Sequence, residues 1–188
     1  MKNNYQVAIV GGGPGGYVAA IRLNQLGVDT ILFEKEKLGG VCLNYGCIPT
    51  KTLVANANLF EAIKNSEKFG IKCTKPEIDW EKIQTRKTNV VTNLVKGLQH
   101  IFSKRKIEIC SKKIYKISSE NNSHKLYFDK KNESFIEAKF IIIATGSGPK
   151  QLPNLKFDHK FILSSKDILS IEKIPKKLAI IGGGVIGC

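Results

Sequence analysis

The sequence has no apolar run that approaches the roughly 18 residues of a membrane-spanning helix. It also has no secretory leader pattern, because the first apolar run, residues 7–10, passes directly into glycines. Cysteine is scarce, with 5 in 188 residues, and this excludes a disulfide-dense miniprotein. We therefore expect no membrane span and a cytoplasmic location; a processed mitochondrial or plastid form also fits.

Acidic side chains are few: 16 Asp and Glu stand against 30 Lys and Arg, and the formal net charge is +14. Such an imbalance raises the question of a nucleic-acid partner. The basic residues are dispersed along the chain, however, and do not cluster on one helix face with interleaved aromatics. We therefore expect no nucleic-acid partner, although a basic face could attract an anionic cofactor or an acidic partner domain.

The first 34 residues contain a pattern of strand, glycine turn, helix and strand. Apolar residues at 5–10 and 30–33 predict two buried strands, and the spacing over 15–27 predicts the helix between them. Such a βαβ unit is typical of α/β folds with a parallel sheet. We therefore predict a Rossmann-like domain at the N-terminus.

The glycine turn itself reads Gly11-x-Gly13-x-x-Gly16. Glycine allows a tight turn and a close approach of the backbone to a pyrophosphate at the helix N-terminus. Glu34 ends the second strand at close to the spacing expected of a carboxylate that binds ribose hydroxyls. The pattern predicts binding of a dinucleotide with an unphosphorylated ribose, as in NAD or FAD. A turn needed only to pack the helix against the strand is the alternative.

Further elements are predicted downstream. Helices are expected at 52–66 and, after an Asp79 cap, over a long stretch with apolar positions from Trp80 to Phe102. Strands are expected at 107–110, 125–129, 136–145 and 178–181, with a hairpin connection at 120–123. The continuous apolar run at 140–144 predicts a strand buried on both faces.

The last predicted strand runs into a second glycine-rich turn at 182–187, and the sequence ends one residue later. A glycine turn after a strand should open a helix. We therefore expect this chain to be the N-terminal part of a longer protein, cut within a second βαβ unit.

Cys42 and Cys47 are separated by four residues in a glycine-rich segment. A zinc site needs about four ligands, and the other cysteines and the histidines supply no second close pair. Two buried structural thiols are an alternative, but they leave the neighbouring Gly39, Gly40 and Gly46 unexplained. A helical turn would bring the sulfurs together, and a helix N-terminus stabilises a thiolate. We predict a redox-active dithiol that can close into a disulfide, and no metal ligand.

Residues 39–51, GGVCLNYGCIPTK, resemble the active-site segment of the FAD-dependent pyridine nucleotide–disulfide oxidoreductases. Within that family they are most similar to the dihydrolipoamide dehydrogenases, because glutathione and mercuric reductases typically carry Val in place of Leu43 and Ile48. Residues 144–147 resemble the family's second flavin-contacting motif, and residues 181–187 resemble the start of its NAD domain. The resemblance therefore spans the whole chain.

This resemblance implies roles for individual residues. Cys42 matches the thiol that exchanges with the lipoyl sulfurs, Cys47 matches the thiol nearer the flavin, and Lys51 matches a lysine beside the flavin ring. The implied cofactor-binding residues are Gly11, Gly13, Gly16, Glu34, Lys35, Gly40, Lys51, Thr145 and Gly146 for FAD, and Gly182, Gly184 and Gly187 for NAD. The chain departs from the family at Thr50, where Ser is commoner, and at Lys112 and Lys113, where glycines usually contact the adenine.

The implied architecture is an FAD-binding domain with the dithiol at 1–147, a connecting segment at 148–177 and the start of a second Rossmann-like, NAD-binding domain at 178–188. The implied activity is oxidation of protein-bound dihydrolipoamide through FAD, with reduction of NAD+, for the lipoyl domain of a 2-oxo acid dehydrogenase or glycine cleavage complex. The resemblance also implies a homodimer and a His–Glu acid–base pair beyond this chain, so that the fragment alone should be inactive. A related NAD(P)H-dependent disulfide or mercuric reductase, and a non-catalytic flavin-binding module, are the alternatives.

Overall fold

The structure is a computed structural model that describes residues 2–187. The strands are β1 Asn4–Val10, β2 Thr30–Phe33, β3 Glu108–Cys110, β4 Lys116–Glu120, β5 Ser123–Tyr127 and β6 Phe135–Ile143. The helices are α1 Pro14–Gln25, α2 Gly40–Tyr45, α3 Cys47–Lys64, α4 Trp80–Lys104 and α5 Ser165–Ile168, with a 3-10 helix at Ser66–Phe69. The chain forms two compact units, the first from 2–44 and 93–147 and the second from 45–92 and 148–187.

The first unit is built on a six-stranded sheet with the order β3-β2-β1-β6-β5-β4. The strands β3, β2, β1 and β6 run parallel, whereas β5 pairs antiparallel with both β6 and β4. Helix α1 connects β1 to β2 and packs against both of them. The predicted Rossmann-like fold, a parallel sheet with helices and an antiparallel insertion, is therefore confirmed.

The core of this unit lies along the central strands. Ile9 on β1 and Ile31 and Leu32 on β2 are completely buried, and Phe33 is nearly so. Because β2 is buried at all four positions, it is covered on both faces, as its uninterrupted apolar sequence predicts. Removing such a side chain from water stabilises the fold by about 1.5–3 kcal/mol. These strands therefore give the glycine turn at their carboxyl ends a rigid support.

The antiparallel part of the sheet begins as a hairpin. Asn121 and Asn122 both have positive φ, 47° and 61°, which is the backbone of a two-residue type I′ turn. The predicted hairpin connection is therefore confirmed. The first strand of the hairpin, β4, has no apolar run in its sequence KISSE and was not among the predicted strands.

Two predicted features of the strands are wrong. Phe140 and Ile143 are 58% and 70% exposed, so the 140–144 run is not buried on both faces. The strand contacts β1 and β5 along its two edges, while α1 packs over β1 and β2. Residues 178–181 form no strand, and Ile181 is 73% exposed. A strand requires a neighbour for its backbone hydrogen bonds, and no described strand pairs with this segment.

The second unit contains α3, the first half of α4 and α5. Helix α3 begins at Cys47, five residues before the predicted start, and α4 extends over 25 residues as expected for a long helix. The predicted cap of α4 is confirmed, since Asp79 Oδ1 accepts a hydrogen bond from Lys82 N at 3.0 Å. Within residues 2–187, none of the helices combines the length and apolar character needed to cross a bilayer.

Candidate active site

The first glycine turn is packed too tightly to carry side chains at two of its positions. Gly11 has φ +109°, and a Cβ there would lie 2.2 Å from the carbonyl oxygen of Ala144. A Cβ on Gly16 would lie 1.7 Å from the carbonyl oxygen of Gly11. Packing therefore explains Gly11 and Gly16. It does not explain Gly13, where the nearest atom to an added Cβ is 3.8 Å away.

The start of α1 has the properties of an anion-binding helix end. Gly13 is the N-cap, Pro14 is the first helical residue, and the first turn contains no acidic side chain. The first N–H groups of a helix have no partner within it, and they point towards the positive end of the helix dipole. Gly13 lies at these donors, and a Cβ there would make only an ordinary van der Waals contact with Gly40 Cα, at 3.8 Å. The turn therefore fits a diphosphate group.

Glu34 projects from the end of β2 to the same turn. One carboxylate oxygen accepts a hydrogen bond from Gly12 N at 2.7 Å, and the other accepts one from Glu36 N at 2.7 Å. Each oxygen keeps a further lone pair for a ribose hydroxyl. Lys35, also predicted to bind the cofactor, is exposed and forms an ion pair with Glu36 at 3.5 Å.

The Gly39-Gly40 pair joins the cysteine segment to the glycine turn. Gly39 N donates to Gly12 O at 2.8 Å, and a Cβ on Gly40 would lie 2.6 Å from Gly13 Cα. Asn44 holds the backbone on both sides of the glycine pair, because its Nδ2 donates to Leu38 O at 3.1 Å and to Gly40 O at 3.0 Å. The sequence did not predict the hydrogen bonds that Gly12 and Asn44 make here. The adjacent glycines, both with positive φ, were the available signal.

Cys42 and Cys47 form a disulfide, which confirms the predicted pairing. Cys42 is half-buried in α2, whereas Cys47 is exposed as the first residue of the 18-residue helix α3. When the disulfide is reduced, the helix N-terminus stabilises a thiolate at Cys47. This arrangement suits a disulfide that opens and closes.

The remaining cysteines differ from this pair. Cys110 is buried, and burial raises the pKa of its thiol, so it is unsuited to thiolate chemistry. Cys73 is exposed, and Cys188 lies outside the described residues. Between residues 2 and 187, no three His, Cys, Asp or Glu side chains gather into a group that could hold a metal ion.

Three other predicted FAD-binding residues lie near the ends of elements. Lys51 is exposed on α3, one helical turn after Cys47. Thr145 and Gly146 follow β6 directly, and Thr145 Cα would lie 3.1 Å from a Cβ on Gly11. The structure therefore brings the end of β6 against the first glycine turn.

The lysines that replace the family's usual glycines have a local partner. Lys112 Nζ lies 4.4 Å from the ring centroid of Phe128, and this ring stacks on Phe33 with a centroid separation of 6.2 Å. Lys112 thus lies on an aromatic surface formed by Phe128, which stacks on the last residue of β2.

The second glycine motif has the local conformation of the first. Gly182 has φ +108°, and a Cβ on Gly187 would lie 2.1 Å from Gly182 O and 3.2 Å from Ile180 Cγ2. The equivalent contacts of Gly16, with Gly11 O and Ile9 Cγ2, are 1.7 and 3.4 Å. Gly184 has open space around it, as Gly13 nearly has. The turn is therefore formed even though the strand predicted before it is not.

Comparison with known proteins gives the same assignment over the same residues. Residues 5–188 match the family described as pyridine nucleotide-disulphide oxidoreductase. A dihydrolipoyl dehydrogenase of Bacillus subtilis is 45% identical over 185 residues, covering 97% of this chain and 40% of that protein. A mitochondrial dihydrolipoyl dehydrogenase of Dictyostelium discoideum is 43% identical over 183 residues, covering 96% of this chain and 37% of that protein.

The fold has a counterpart among solved structures. LpdA of Mycobacterium tuberculosis superposes with a TM-score of 0.78 at 20% identity, covering 91% of this chain and 38% of that one. The chain thus spans about 40% of the length of the curated relatives it matches. On the match over residues 5–188, together with the glycine turn and the disulfide described above, the chain belongs to the pyridine nucleotide-disulphide oxidoreductase family.

Proposed function

We propose that these residues form part of a dihydrolipoyl dehydrogenase, which oxidises protein-bound dihydrolipoamide and reduces NAD+ through a bound FAD. The observation that carries the proposal is the Cys42–Cys47 disulfide. It lies in a segment that is hydrogen-bonded through Gly39 to the glycine turn. Relatives named dihydrolipoyl dehydrogenase, with identities of 41–45%, support this substrate over the other disulfides that the family reduces.

The residues present fit an FAD molecule. The open backbone at Gly13 and the donors at the start of α1 would hold the diphosphate, and Glu34 would bind the adenosine ribose. Lys51 would place a cation beside the flavin ring. When bound, FAD supplies the two-electron chemistry that links a dithiol to a nicotinamide. The turn from Gly182 to Gly187 would contact the NAD diphosphate.

The chemistry of the chain's own residues is thiol–disulfide exchange. One thiolate of the substrate attacks Cys42 Sγ and forms a mixed disulfide, while the Cys42–Cys47 bond breaks and Cys47 leaves as a thiolate. The N-terminus of α3 stabilises this leaving thiolate. The second substrate thiol then loses its proton to a base and displaces Cys42, which closes the lipoyl disulfide. Two electrons have passed from the substrate to the cysteine pair. Its two thiol protons have gone to solvent, when the attacking thiolate formed, and to the base.

The base is assigned to a His–Glu pair of the partner subunit in a homodimer, outside the present chain. The partner protein would be a lipoyl domain of a 2-oxo acid dehydrogenase or glycine cleavage complex. We propose a cytoplasmic location, or the matrix of an organelle for a processed form.

The test is activity of the longer polypeptide that carries this chain. We expect it to purify yellow, to lose its flavin absorbance on anaerobic addition of dihydrolipoamide, and to form NADH from NAD+. Cys42→Ser and Cys47→Ser should each lower kcat at least about a thousandfold, because the exchange needs both sulfurs. Cys73→Ser is the matched control, since that thiol is exposed and free.

Two outcomes would contradict the proposal. Faster oxidation of NADH or NADPH with glutathione or mercuric ion than of dihydrolipoamide with NAD+ would assign the protein to the reductases. Full activity of Cys42→Ser would remove the dithiol from the reaction.

A further inference from the structure

Tyr45 lies between the two cysteines, and its ring makes the shortest cation–π contact among residues 2–187. Lys166 Nζ is 3.9 Å from the Tyr45 ring centroid, whereas the other such contacts range from 4.4 to 6.0 Å. An ammonium within about 6 Å of a ring centroid is attracted by the negative face of the ring. Neither residue has a part in the chemistry described above.

The backbone that carries Lys166 is capped by its neighbour. Asp167 accepts hydrogen bonds from Ser164 N at 2.8 Å and Ser164 Oγ at 2.6 Å, and lies 3.0 Å from His159 Nδ1. The bonds from Ser164 hold the pKa of Asp167 below its usual range. The Asp167 carboxylate is therefore already bonded to Ser164 and to His159, and not to Lys166. Within residues 2–187, Lys166 forms no salt bridge.

The segment that follows Lys166 is fixed as well. Lys87 Nζ donates to Leu169 O at 2.6 Å, and Trp80 Nε1 donates to Ile171 O at 3.0 Å. Lys87 is only 7% exposed, so the first of these bonds is shielded from water. Lys166 therefore extends to Tyr45 from a short helix that is held at both ends.

Resting on the proposed function, we propose that Tyr45 and Lys166 are a positioning pair for the redox disulfide. The contact holds the turn that leads into Cys47 and places the charge of Lys166 on a ring two residues before it. After reduction, this charge favours the thiolate of Cys47, so that the thiolate forms at lower pH. Lys166 acts through Tyr45, which precedes Cys47 by two residues.

Other titratable groups lie on the neighbouring elements and must be held constant in a test. Cys42 is its disulfide partner, and Lys51 lies one turn along the same helix. On the side of α5, the charged groups are Lys166 itself and the His159–Asp167 pair behind it. The test therefore changes Lys166 while leaving these others in place.

The experiment follows alkylation of Cys47 by iodoacetamide in the reduced, purified protein across a pH series, read by mass spectrometry. Lys166→Met should move the alkylation midpoint to higher pH and slow the rate at neutral pH by about threefold, as expected for one partly screened charge. Lys166→Arg and Tyr45→Phe should keep the wild-type profile, since each preserves the cation–π contact. Tyr45→Leu should shift the midpoint in the same direction as Lys166→Met.

Lys160→Met is the matched control, because Lys160 forms a cation–π contact with Phe161 at 5.4 Å in the same unit. A wild-type profile for Lys166→Met would overturn the proposal. So would an equal shift for Lys166→Met and Lys166→Arg, since that would show a merely structural effect. The measurement needs neither flavin nor nicotinamide. A Lys166-dependent profile in a protein that oxidises no dihydrolipoamide would therefore overturn the proposed activity and leave the positioning pair standing.

Discussion

The glycine turn allows a prediction in which two neighbouring substitutions have opposite effects. Gly15 and Gly16 are consecutive residues in the first turn of α1. Gly16→Ala would place a Cβ 1.7 Å from Gly11 O, whereas Gly15→Ala would place one 3.7 Å from Ala144 Cβ. The first distance is a severe overlap with backbone, and the second is an ordinary van der Waals contact. We therefore expect Gly16→Ala to destabilise the fold and Gly15→Ala to be tolerated.

The magnitudes follow from these distances. Replacing glycine by alanine within a helix stabilises it by about 0.5–1 kcal/mol when there is room for the methyl group. At Gly16 the overlap must be relieved by moving the Gly11 carbonyl. Its backbone is held by hydrogen bonds from Gly11 N to Phe33 O and from Ala144 N to Val10 O, both at 2.8 Å. Such overpacking costs about 1–3 kcal/mol. The difference in unfolding free energy between the two variants should therefore be about 1.5–4 kcal/mol.

Urea unfolding followed by circular dichroism measures this difference, and the flavin-to-protein ratio after purification measures retention of the cofactor. Gly16→Ala should lose stability and flavin together, because the same shift disturbs the donors at the start of α1. Gly15→Ala should retain both. Equal stability and equal flavin content in the two variants would refute the packing argument for Gly16.

Three further outcomes are expected. Burial lowers the pKa of Lys87, so the unfolded chain binds more protons than the folded one between that lowered pKa and the ordinary value of 10.5. The unfolding free energy should rise with pH across that window, and urea titrations should show that Lys87→Met abolishes the rise. The bond from Lys82 N lowers the pKa of Asp79, so its contribution is complete above the unfolded pKa of about 4 and is lost as pH falls through the folded value. Asp79→Ala should lower the melting temperature at neutral pH. It should also reduce the loss of unfolding free energy between neutral and acidic pH. Gly40→Ala should reduce bound flavin, because its Cβ would lie 2.6 Å from Gly13 Cα at a φ of +60°; undiminished flavin absorbance would contradict the close approach of these two segments.

Features that depend on local sequence were predictable without the structure. The strand at 30–33 is found with its predicted bounds, and Asp79 caps α4 as expected. The Cys42–Cys47 disulfide follows from residues that are close in sequence. In each case the determining interaction lies within a few residues, so the pattern contains the information.

The second glycine turn shows the limit of local information. The turn at 182–187 has the backbone of the first glycine turn, with positive φ at its first glycine and the same close approach five residues later. The strand predicted at 178–181 is absent, because a strand is completed only by hydrogen bonds to a neighbour. Local sequence was sufficient for the turn and insufficient for the strand.

By itself, the sequence determined the βαβ order, the glycine turns and the pairing of two cysteines, because these depend on backbone freedom, apolar period and short spacing. Only the tertiary structure decided that Gly11 packs against Ala144, that Phe140 is exposed, and that Lys166 reaches Tyr45. Those contacts join residues far apart in the chain, and their formation depends on how the intervening elements pack, which no local pattern specifies.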